Sequence, residues 1–367
     1  MIKWATQKDK ARIFELWQLC FDDSFAWTNW YFEERFSPKR TLCLWQDGQI
    51  VSDLQLNPYP LKIRSTTIST LCVSGVATHP LWQRKGYMRQ LLIEAMHIAE
   101  QQGYSCMFNM PQNNNIYSKY DHLYFTNKLC AEIKGRGKAG AVENYSLDKD
   151  FLPLLKCYCK FIKNYSGIVN RTPSLFKLRL KDTFADGGSV IYNKSKGKIC
   201  GYCMYIPHKD YLECTELIYD SKQTLDLLIN SLLQFANGKK LQLALPADAA
   251  PLLAEYKGKR QVCPGNVLRV LNAPLFLKQL NVNLPYNIGI NDKFLACNNG
   301  VFTSLGETTH AQADIEINIG EFGQWLSGYY SLKALYAKGE VKINNSNAAI
   351  ALDAAFPKCL CYSLEAY

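Results

Sequence analysis

Hydrophobic and polar positions in the first third of the chain alternate between strand-like and helix-like spacing. The pattern predicts, in order, a strand, a helical region, a hairpin, a strand, a helix and a strand: Ile2–Ala5, Lys10–Phe36, Thr41–Leu56, Thr66–Ala77, Gly86–Gln102 and Ser105–Met110. The dipeptide Asp47-Gly48 favours a tight turn in the hairpin, and Gly103 is suited to end the helix. This order predicts an α/β fold in which a glycine turn joins a long strand to a helix.

The same order of elements recurs in the middle of the chain. A hairpin, a strand, a helix and a strand are predicted there: Ser189–Ile206, Leu212–Tyr219, Gln223–Phe235 and Leu241–Leu245. The recurrence indicates a divergent internal duplication. Between the two regions the pattern weakens from Lys128 to Asp150, and a Lys/Gly-rich run from Lys134 to Gly140 favours a domain boundary.

A third pattern follows from about Pro274. It predicts a strand, a helix, a short apolar segment, a turn or strand, and a last helix: Asp314–Asn318, Glu321–Trp325, Leu332–Leu335, Gly339–Ile343 and Ala348–Phe356. This mixture predicts a small α+β domain. We therefore expect three domains, spanning 1–140, 141–273 and 274–367.

The composition is typical of a multidomain globular protein. Of the 367 residues, 48% are hydrophobic, which is enough apolar material for two or three cores. No stretch reaches the roughly eighteen apolar residues of a membrane-spanning helix, and no secretory segment follows Met1. We therefore expect a cytoplasmic protein without membrane insertion.

Cysteine usage and net charge narrow the range of partners. The 14 cysteines are scattered, which favours free thiols over a disulfide scaffold, and the five histidines lie far from the closest cysteine pairs, so we expect no metal site. The formal net charge of +10 favours anionic partners such as a phosphorylated cofactor, nucleic acid or an acidic membrane, but it also fits ordinary solubility. Because the Lys and Arg residues are dispersed, no nucleic-acid partner is expected.

The most informative run is the strand, loop and helix from Val73 to Leu92. Arg84, Lys85 and Gly86 fill the loop immediately before an amphipathic helix. Such a turn aims unpaired backbone N–H groups and the positive end of the helix dipole at one point, beside two cations. This arrangement predicts a pyrophosphate site, although an ordinary strand-to-helix connection with surface charges has the same pattern. The P-loop and Rossmann motifs are both absent from the sequence.

At Gln83-Arg-Lys-Gly-Tyr-Met88 the sequence resembles the cofactor motif of the GNAT acetyltransferases, Q/R-x-x-G-x-G/A. Met88 stands where that motif has a small residue, and in this it is similar to the Eis-like (enhanced intracellular survival) branch. The resemblance implies acetyl-CoA as cosubstrate. It also implies residues that pair with the pantetheine arm, hold the pyrophosphate and line the far side: Val76, Ala77 and Thr78; Arg84, Lys85, Gly86, Tyr87, Met88 and Arg89; Gln112 and Asn113.

The segment from Asn113 to Phe125 resembles the tyrosine element that lies near the CoA sulfur in the same family. The resemblance makes Tyr117 the general acid that protonates the departing thiolate, because a phenol can donate a hydrogen bond there. Tyr120 and Tyr124 are alternatives, since Asp121 and His122 depart from the family pattern. Without the loop upstream, any one of these tyrosines would be interpreted as a core residue.

Acylation of an amine also requires a base, and the strand Leu71–Ala77 contains no carboxylate. The Eis-like resemblance supplies the C-terminal carboxylate of Tyr367, with Glu365 and Asp53 as alternatives. In the same resemblance, Ile315–Gly328 and Ala351–Phe356 look like a closing sterol-carrier-like domain.

The whole resemblance implies two GNAT-like mixed-sheet domains followed by a small α+β sterol-carrier-like domain. In the middle copy, Tyr219–Leu225 has no basic residue and glycine before its helix, so we expect no CoA there.

Together these observations predict an acetyl-CoA-dependent N-acetyltransferase that transfers the acyl group directly to a primary amine. The acceptor would be a small molecule or a protein, and the resemblance implies a homo-oligomer. Two alternatives stay open: a non-catalytic CoA- or lipid-binding sensor, and a tRNA-dependent aminoacyltransferase of the tandem-GNAT type, which the basic charge would suit.

Overall fold

The structure, a computed structural model, describes residues 1–138 and 140–365 and contains three β-sheets. The first part of the chain forms six strands and three helices. The strands are β1 Ile2–Trp4, β2 Thr41–Gln46, β3 Gln49–Ile63, β4 Thr66–Thr78, β5 Cys106–Asn109 and β6 Leu123–Tyr124, and the helices are α1 Lys10–Cys20, α2 Phe25–Glu34 and α3 Tyr87–Gln101. The predicted helical region from Lys10 to Phe36 is therefore two helices.

The middle part repeats a strand-rich arrangement with its own helices. Its strands are β7 Asn127–Ile133, β8 Glu143–Asn144, β9 Ile168–Val169, β10 Ser189–Ser195, β11 Lys198–Pro207, β12 Tyr211–Tyr219, β13 Lys240–Leu245, β14 Gly258–Pro264 and β15 Val267–Val270. Its helices are α4 Leu152–Phe161, α5 Pro173–Ala185 and α6 Lys222–Ala236. The predicted elements of this region are all present, within a few residues of the expected bounds.

The last part is a small α+β unit. Its strands are β16 Asn287–Asn291, β17 Gly300–Thr303, β18 Thr308–Thr309, β19 Ile315–Asn318 and β20 Val341–Ile343. Its helices are α7 Ala273–Leu280, α8 Ile319–Ser327, α9 Leu332–Ala337 and α10 Ser346–Ala355. The mixed α/β class expected from the sequence is confirmed. None of the helices in the described ranges is both long and apolar enough to cross a membrane.

In the first two sheets, strands β15 and β7 lie among strands that are distant from them in sequence. The first has the order β1-β2-β3-β4-β5-β15-β6, with β9 paired to β3, and the second has the order β14-β7-β13-β12-β11-β10-β8. Strand β15, late in the chain, thus lies between β5 and β6, while β7, which follows β6, lies between β13 and β14. The sequence pattern weakens from Lys128, but the first residues of this stretch form strand β7. In β7, the buried residues Leu129, Ala131 and Ile133 alternate with less buried ones.

A gap opens between the central strands of the first sheet. Strands β4 and β5 are parallel and pair only at Leu71 with Met107 and at Cys72 with Phe108. Beyond these pairs β4 continues to Thr78, whereas β5 ends at Asn109. A bulge in the β3–β4 pairing lies at the same level. The two strands therefore leave a wedge that begins beyond Cys72.

The terminal domain packs on the first sheet. Phe108 and Phe125 share one hydrophobic core with Trp325 of α8. Arg64, in the turn between β3 and β4, donates to the carbonyls of Trp325 at 3.0 Å and Leu326 at 2.7 Å. Because these carbonyls belong to the last turn of α8, the arginine caps the helix across the domain boundary.

Candidate active site

The outer half of β4 presents a free backbone edge to the gap. Val76 and Thr78 are half-buried and Ala77 is buried, and none of the strands in the described ranges pairs with this edge beyond Cys72. On the other side, Ser52 donates to the Ala77 carbonyl at 2.6 Å, so the strand is held from β3. A ligand that carries amide groups could pair with such an edge as an added strand does.

The loop after β4 ends at an uncapped helix. Gly86 has a φ of +83°, and it leads directly into Tyr87, the first residue of α3. None of the described side chains caps the start of this helix, so its first N–H groups are directed at the loop. Arg84, Lys85 and Arg89 are all exposed around it. Uncapped amides beside three exposed cations suit a pyrophosphate group.

Four further predicted residues lie near the loop or across the gap from it. The side chains of Tyr87 and Met88, in the first turn of α3, are half-buried rather than extended into solvent. Gln112 and Asn113 are exposed in the segment that follows β5, on the opposite side of the gap from β4. The Asn113 side chain accepts a hydrogen bond from the Asn115 amide at 3.0 Å and so begins a short 3-10 turn.

The corresponding connection in the second sheet, from β12 to α6, does not offer an uncapped helix start. Strand β12 passes into α6 through only Asp220 and Ser221, and Ser221 caps the helix by accepting from the Thr224 amide at 3.2 Å. Asp220 adds a carboxylate there, which accepts from the Thr224 hydroxyl at 2.8 Å. A filled cap and a negative charge both disfavour a phosphate.

Tyr117 lies between two 3-10 turns on the β5 side of the gap. Its ring packs on His122 with centroids 5.9 Å apart. Burial raises the pKa of the Tyr117 phenol to about 12, with a smaller contribution from the nearby Cys72 thiol. Because Nδ1 of His122 lies 3.2 Å from Oδ1 of Asn109, the last residue of β5, the Tyr117 ring lies beside the end of β5 and the gap. The phenol stays protonated at neutral pH and can donate a proton.

His122 packs against Tyr117 but is not a candidate for the catalytic base. The side chain is fully buried, and its Nδ1 lies 3.2 Å from Oδ1 of Asn109 at the end of β5. Burial, together with the charge of Arg269, lowers the pKa of His122 to about 3. The ring is therefore neutral at physiological pH and fills the space behind Tyr117.

The alternative tyrosines face the terminal domain. Tyr120 packs on Phe294 with ring centroids 5.6 Å apart, and the Tyr124 carbonyl accepts from the side chain of Gln324 in α8 at 2.7 Å. Tyr117, by contrast, packs on His122 beside the end of β5.

A cavity of about 710 Å³ lies next to the gap, between α2, α5, the second sheet and the last described residues of the chain. Met110, just after β5, connects it with the gap. The charged residues in its wall have both signs: Asp23, Asp182, Asp186, Glu213, Glu132 and Glu365 against Arg35, Lys128, Arg179, Lys259 and Arg260. Burial and the nearby Asp182 and Asp23 raise the pKa of Asp186 to about 6.

The three predicted base candidates have different surroundings. Asp53 is buried beneath α1, outside the cavity wall, and both its oxygens lack a hydrogen-bond partner among the described residues. Burial raises its pKa well above the usual range. Glu365 lies in the cavity wall, and its backbone carbonyl accepts from the side chain of Asn266, just before β15, at 3.0 Å. Tyr367 lies outside the described residues, and its role stays a prediction.

Several polar contacts in and next to the cavity wall could not be expected from the sequence. Arg35, immediately after α2, donates to the Tyr59 hydroxyl, and Tyr31 of α2 donates to Gln55 at 2.9 Å. From the second domain, Arg171 donates to Glu365 at 2.6 Å. These partners are far apart in sequence, and no local motif marks them.

Comparison with known families decides the identity of the first domain. Residues 1–125 match the acetyltransferase (GNAT) domain family, and residues 272–361 match the sterol carrier protein domain family. The first domain is a GNAT acetyltransferase domain. With the sterol carrier protein domain behind it, the chain has the Eis-like arrangement that the sequence resemblance implied. Comparison with curated proteins gives no significant match.

Solved structures of similar fold extend over the whole chain. A probable N-acyltransferase of unknown function from Enterococcus faecalis V583 has a TM-score of 0.86 at 17% identity, covering 100% of this chain and 99% of that one. Eis1 from Mycobacterium abscessus has a TM-score of 0.78 at 16% identity, covering 100% of both chains. N-myristoyltransferase from Saccharomyces cerevisiae, with bound myristoyl-CoA, has a TM-score of 0.53 at 10% identity, covering 73% and 82%. At these identities the likeness concerns the fold.

Proposed function

We propose that this GNAT protein transfers an acetyl group from acetyl-CoA directly to a primary amine of a small molecule or a protein. The observation that carries the proposal is the meeting of three features at one place. The free edge of β4, the ring of Tyr117 and the cavity beside Met110 all adjoin the gap between β4 and β5. A thioester in the gap and an amine in the cavity would have their reacting groups next to each other.

The cosubstrate would be held at two places. Backbone groups of Val76, Ala77 and Thr78 are available to the amides of the pantetheine arm. The uncapped start of α3, with Arg84, Lys85 and Arg89, would hold the pyrophosphate. The two sites follow each other along the chain, so one extended molecule could bind both.

In the chemical step, the amine nitrogen attacks the thioester carbonyl carbon and the carbon–sulfur bond breaks. Tyr117 gives its proton to the sulfur as the thiolate departs, which suits a phenol that burial keeps protonated. The proton lost by the ammonium passes to a carboxylate. No covalent enzyme intermediate is required.

Two carboxylates near the end of the chain are candidates for the base. Glu365 lies in the cavity wall, and the terminal carboxylate of Tyr367 is the second candidate. Asp53 is the weakest of the three predicted candidates, because the sheet and α1 enclose it away from the cavity.

The test is release of free CoA thiol from acetyl-CoA in the presence of a panel of amines: a polyamine, an aminoglycoside, an amino-acid amide and a lysine-containing peptide. We expect release with at least one amine and none without it. Tight binding of acetyl-CoA without release for any of them would contradict the proposal and favour the sensor alternative.

A further inference from the structure

A buried ion network joins the second domain to the end of the described chain. Arg171, between β9 and α5, has 3% of its surface exposed, and its two terminal nitrogens each lie 2.8 Å from an oxygen of Glu216 on β12. The remaining nitrogen, Nε, lies 2.6 Å from Oε1 of Glu365. The ring of Tyr158 covers the guanidinium, with its centroid 4.5 Å from Cζ.

The segment that carries Glu365 is fixed by further bonds along Cys361–Glu365. Asn127 donates to the Cys361 carbonyl at 3.1 Å, and the Tyr362 hydroxyl donates to the carbonyl of Ala244 on β13 at 3.0 Å. Asn266, just before β15, donates to the Glu365 carbonyl at 3.0 Å. Within this segment, the side chain of Glu365 is the one that forms an ion pair with the second domain.

We propose that Arg171 is a positioning residue for acyl transfer in the first domain, and the inference rests on the proposed function. It acts through Glu365: by holding that carboxylate it fixes the segment Cys361–Glu365, which forms part of the wall of the amine cavity and carries one of the two candidate bases. The second domain, whose own β12–α6 connection does not suit a phosphate, thereby contributes to catalysis in the first.

The burial of the network makes the restraint strong. Removing one partner of a buried ion pair leaves a charge without its counterion, so the paired arrangement is strongly preferred over one in which Glu365 turns away. The bidentate bond to Glu216 fixes the plane of the guanidinium, and therefore the direction in which Nε meets Glu365. A catalytic carboxylate must be held within about 0.5 Å of its productive position.

A purely structural role would have different consequences. The acetyl-CoA loop at Arg84–Arg89 is formed by the first domain, and no residue of the network belongs to it. Loss of the anchor should therefore lower the rate of transfer and leave acetyl-CoA binding intact. General disruption of the fold would weaken both.

The experiment compares wild-type protein with Arg171→Met, Arg171→Lys and the double variant Arg171→Met/Glu216→Gln. The double variant removes one positive and one negative charge, and so keeps the protein testable if the single change fails to fold. Arg12→Met, which removes a half-buried arginine of α1 paired with Glu15, is the control. Each variant is assayed for kcat and for KM of acetyl-CoA, and hydrogen exchange is followed in the peptide that contains Cys359–Glu365.

We expect kcat to fall about 10- to 100-fold in the Met variants, with KM for acetyl-CoA within about threefold of wild type. The kcat of Arg171→Lys should lie between those of the Met variants and wild type. Hydrogen exchange in the Cys359–Glu365 peptide should accelerate when the arginine is lost. Wild-type kcat in the double variant, or unchanged exchange, would overturn the inference. If wild-type protein itself transfers no acetyl group, the proposed function fails instead, and the exchange measurement still tests the anchor.

Discussion

Trp17 lies so close to Gly75 that a Cβ added to the glycine would be 2.4 Å from Cζ3 of the indole. Gly75 has a φ of +56° and lies in the outer half of β4, next to the bulge in the β3–β4 pairing. The absence of a side chain lets α1 approach the strand, and the positive φ sets the course of the strand into Val76, Ala77 and Thr78. The shape of the proposed cosubstrate edge thus depends on this one contact.

Gly75→Ala should therefore displace the edge. We expect a loss of about 1–3 kcal/mol in the free energy of unfolding, since both the clash and the backbone conformation oppose a side chain. Affinity for acetyl-CoA should fall at least about tenfold. Gly48→Ala is the matched control: its φ is +75°, but nothing lies within 4 Å of an added Cβ. It should lose less stability and keep its affinity; equal affinities in the two variants would refute this account.

Replacement of Arg84 tests the pyrophosphate site. Arg84→Ala removes an exposed cation beside the uncapped start of α3, so we expect affinity for acetyl-CoA to weaken about 3- to 30-fold. Stability should stay within about 0.5 kcal/mol of wild type. Lys39→Ala, another exposed cation of the first domain, should change neither quantity. An Arg84 variant with wild-type affinity in calorimetry would remove this residue from the site.

Tyr117→Phe tests the general acid. Without the hydroxyl the thiolate must leave unprotonated or take a proton from water, so kcat should fall about 10²- to 10⁴-fold while KM for acetyl-CoA changes little. Because the pKa of Tyr117 is raised to about 12, the wild-type rate should show no loss from ionisation of this phenol between pH 7 and 10. Tyr120→Phe is the comparison variant. A larger effect there would move the role to Tyr120.

Asp53 should make the stability of the protein depend on pH. Burial raises its pKa in the folded protein, whereas an aspartate in the unfolded chain has a pKa of about 3.9. The folded protein thus keeps a proton that the unfolded chain releases, and stability falls as pH rises from about 4 through the folded-state pKa.

Asp53→Asn removes that titration while keeping the shape of the side chain. We expect the variant to be about 1–3 kcal/mol more stable than wild type at pH 8, and the difference to shrink towards pH 4. Urea unfolding at both pH values measures it, with exposed Asp22→Asn as the control. A variant that is less stable at pH 8 would show that the carboxylate is ionised and paired.

A feature could be predicted where the residues that form it lie close together in the sequence. The passage from β4 into α3 could be predicted with Gly86 before the helix, because strand spacing, the glycine and the amphipathic pattern all lie within about twenty residues. The pairing of β7 with the second sheet could not, since its partners β13 and β14 follow more than a hundred residues later.

The same limit applies to the amine side of the site. Arg171 and Glu365 are 194 residues apart, and Asn266 and Glu365 are 99 apart, so no spacing rule brings them together. The general acid and the cofactor residues were predicted through family resemblance, and their roles stay predictions until the variants above are measured.

The central claim is that the gap between β4 and β5 binds one acetyl-CoA per chain, and that the second sheet binds none. Isothermal titration of the purified protein with acetyl-CoA tests this most directly. The account predicts a single class of sites with a stoichiometry of one, lost or weakened in Arg84→Ala. The absence of binding, or two equivalent sites per chain, would contradict it.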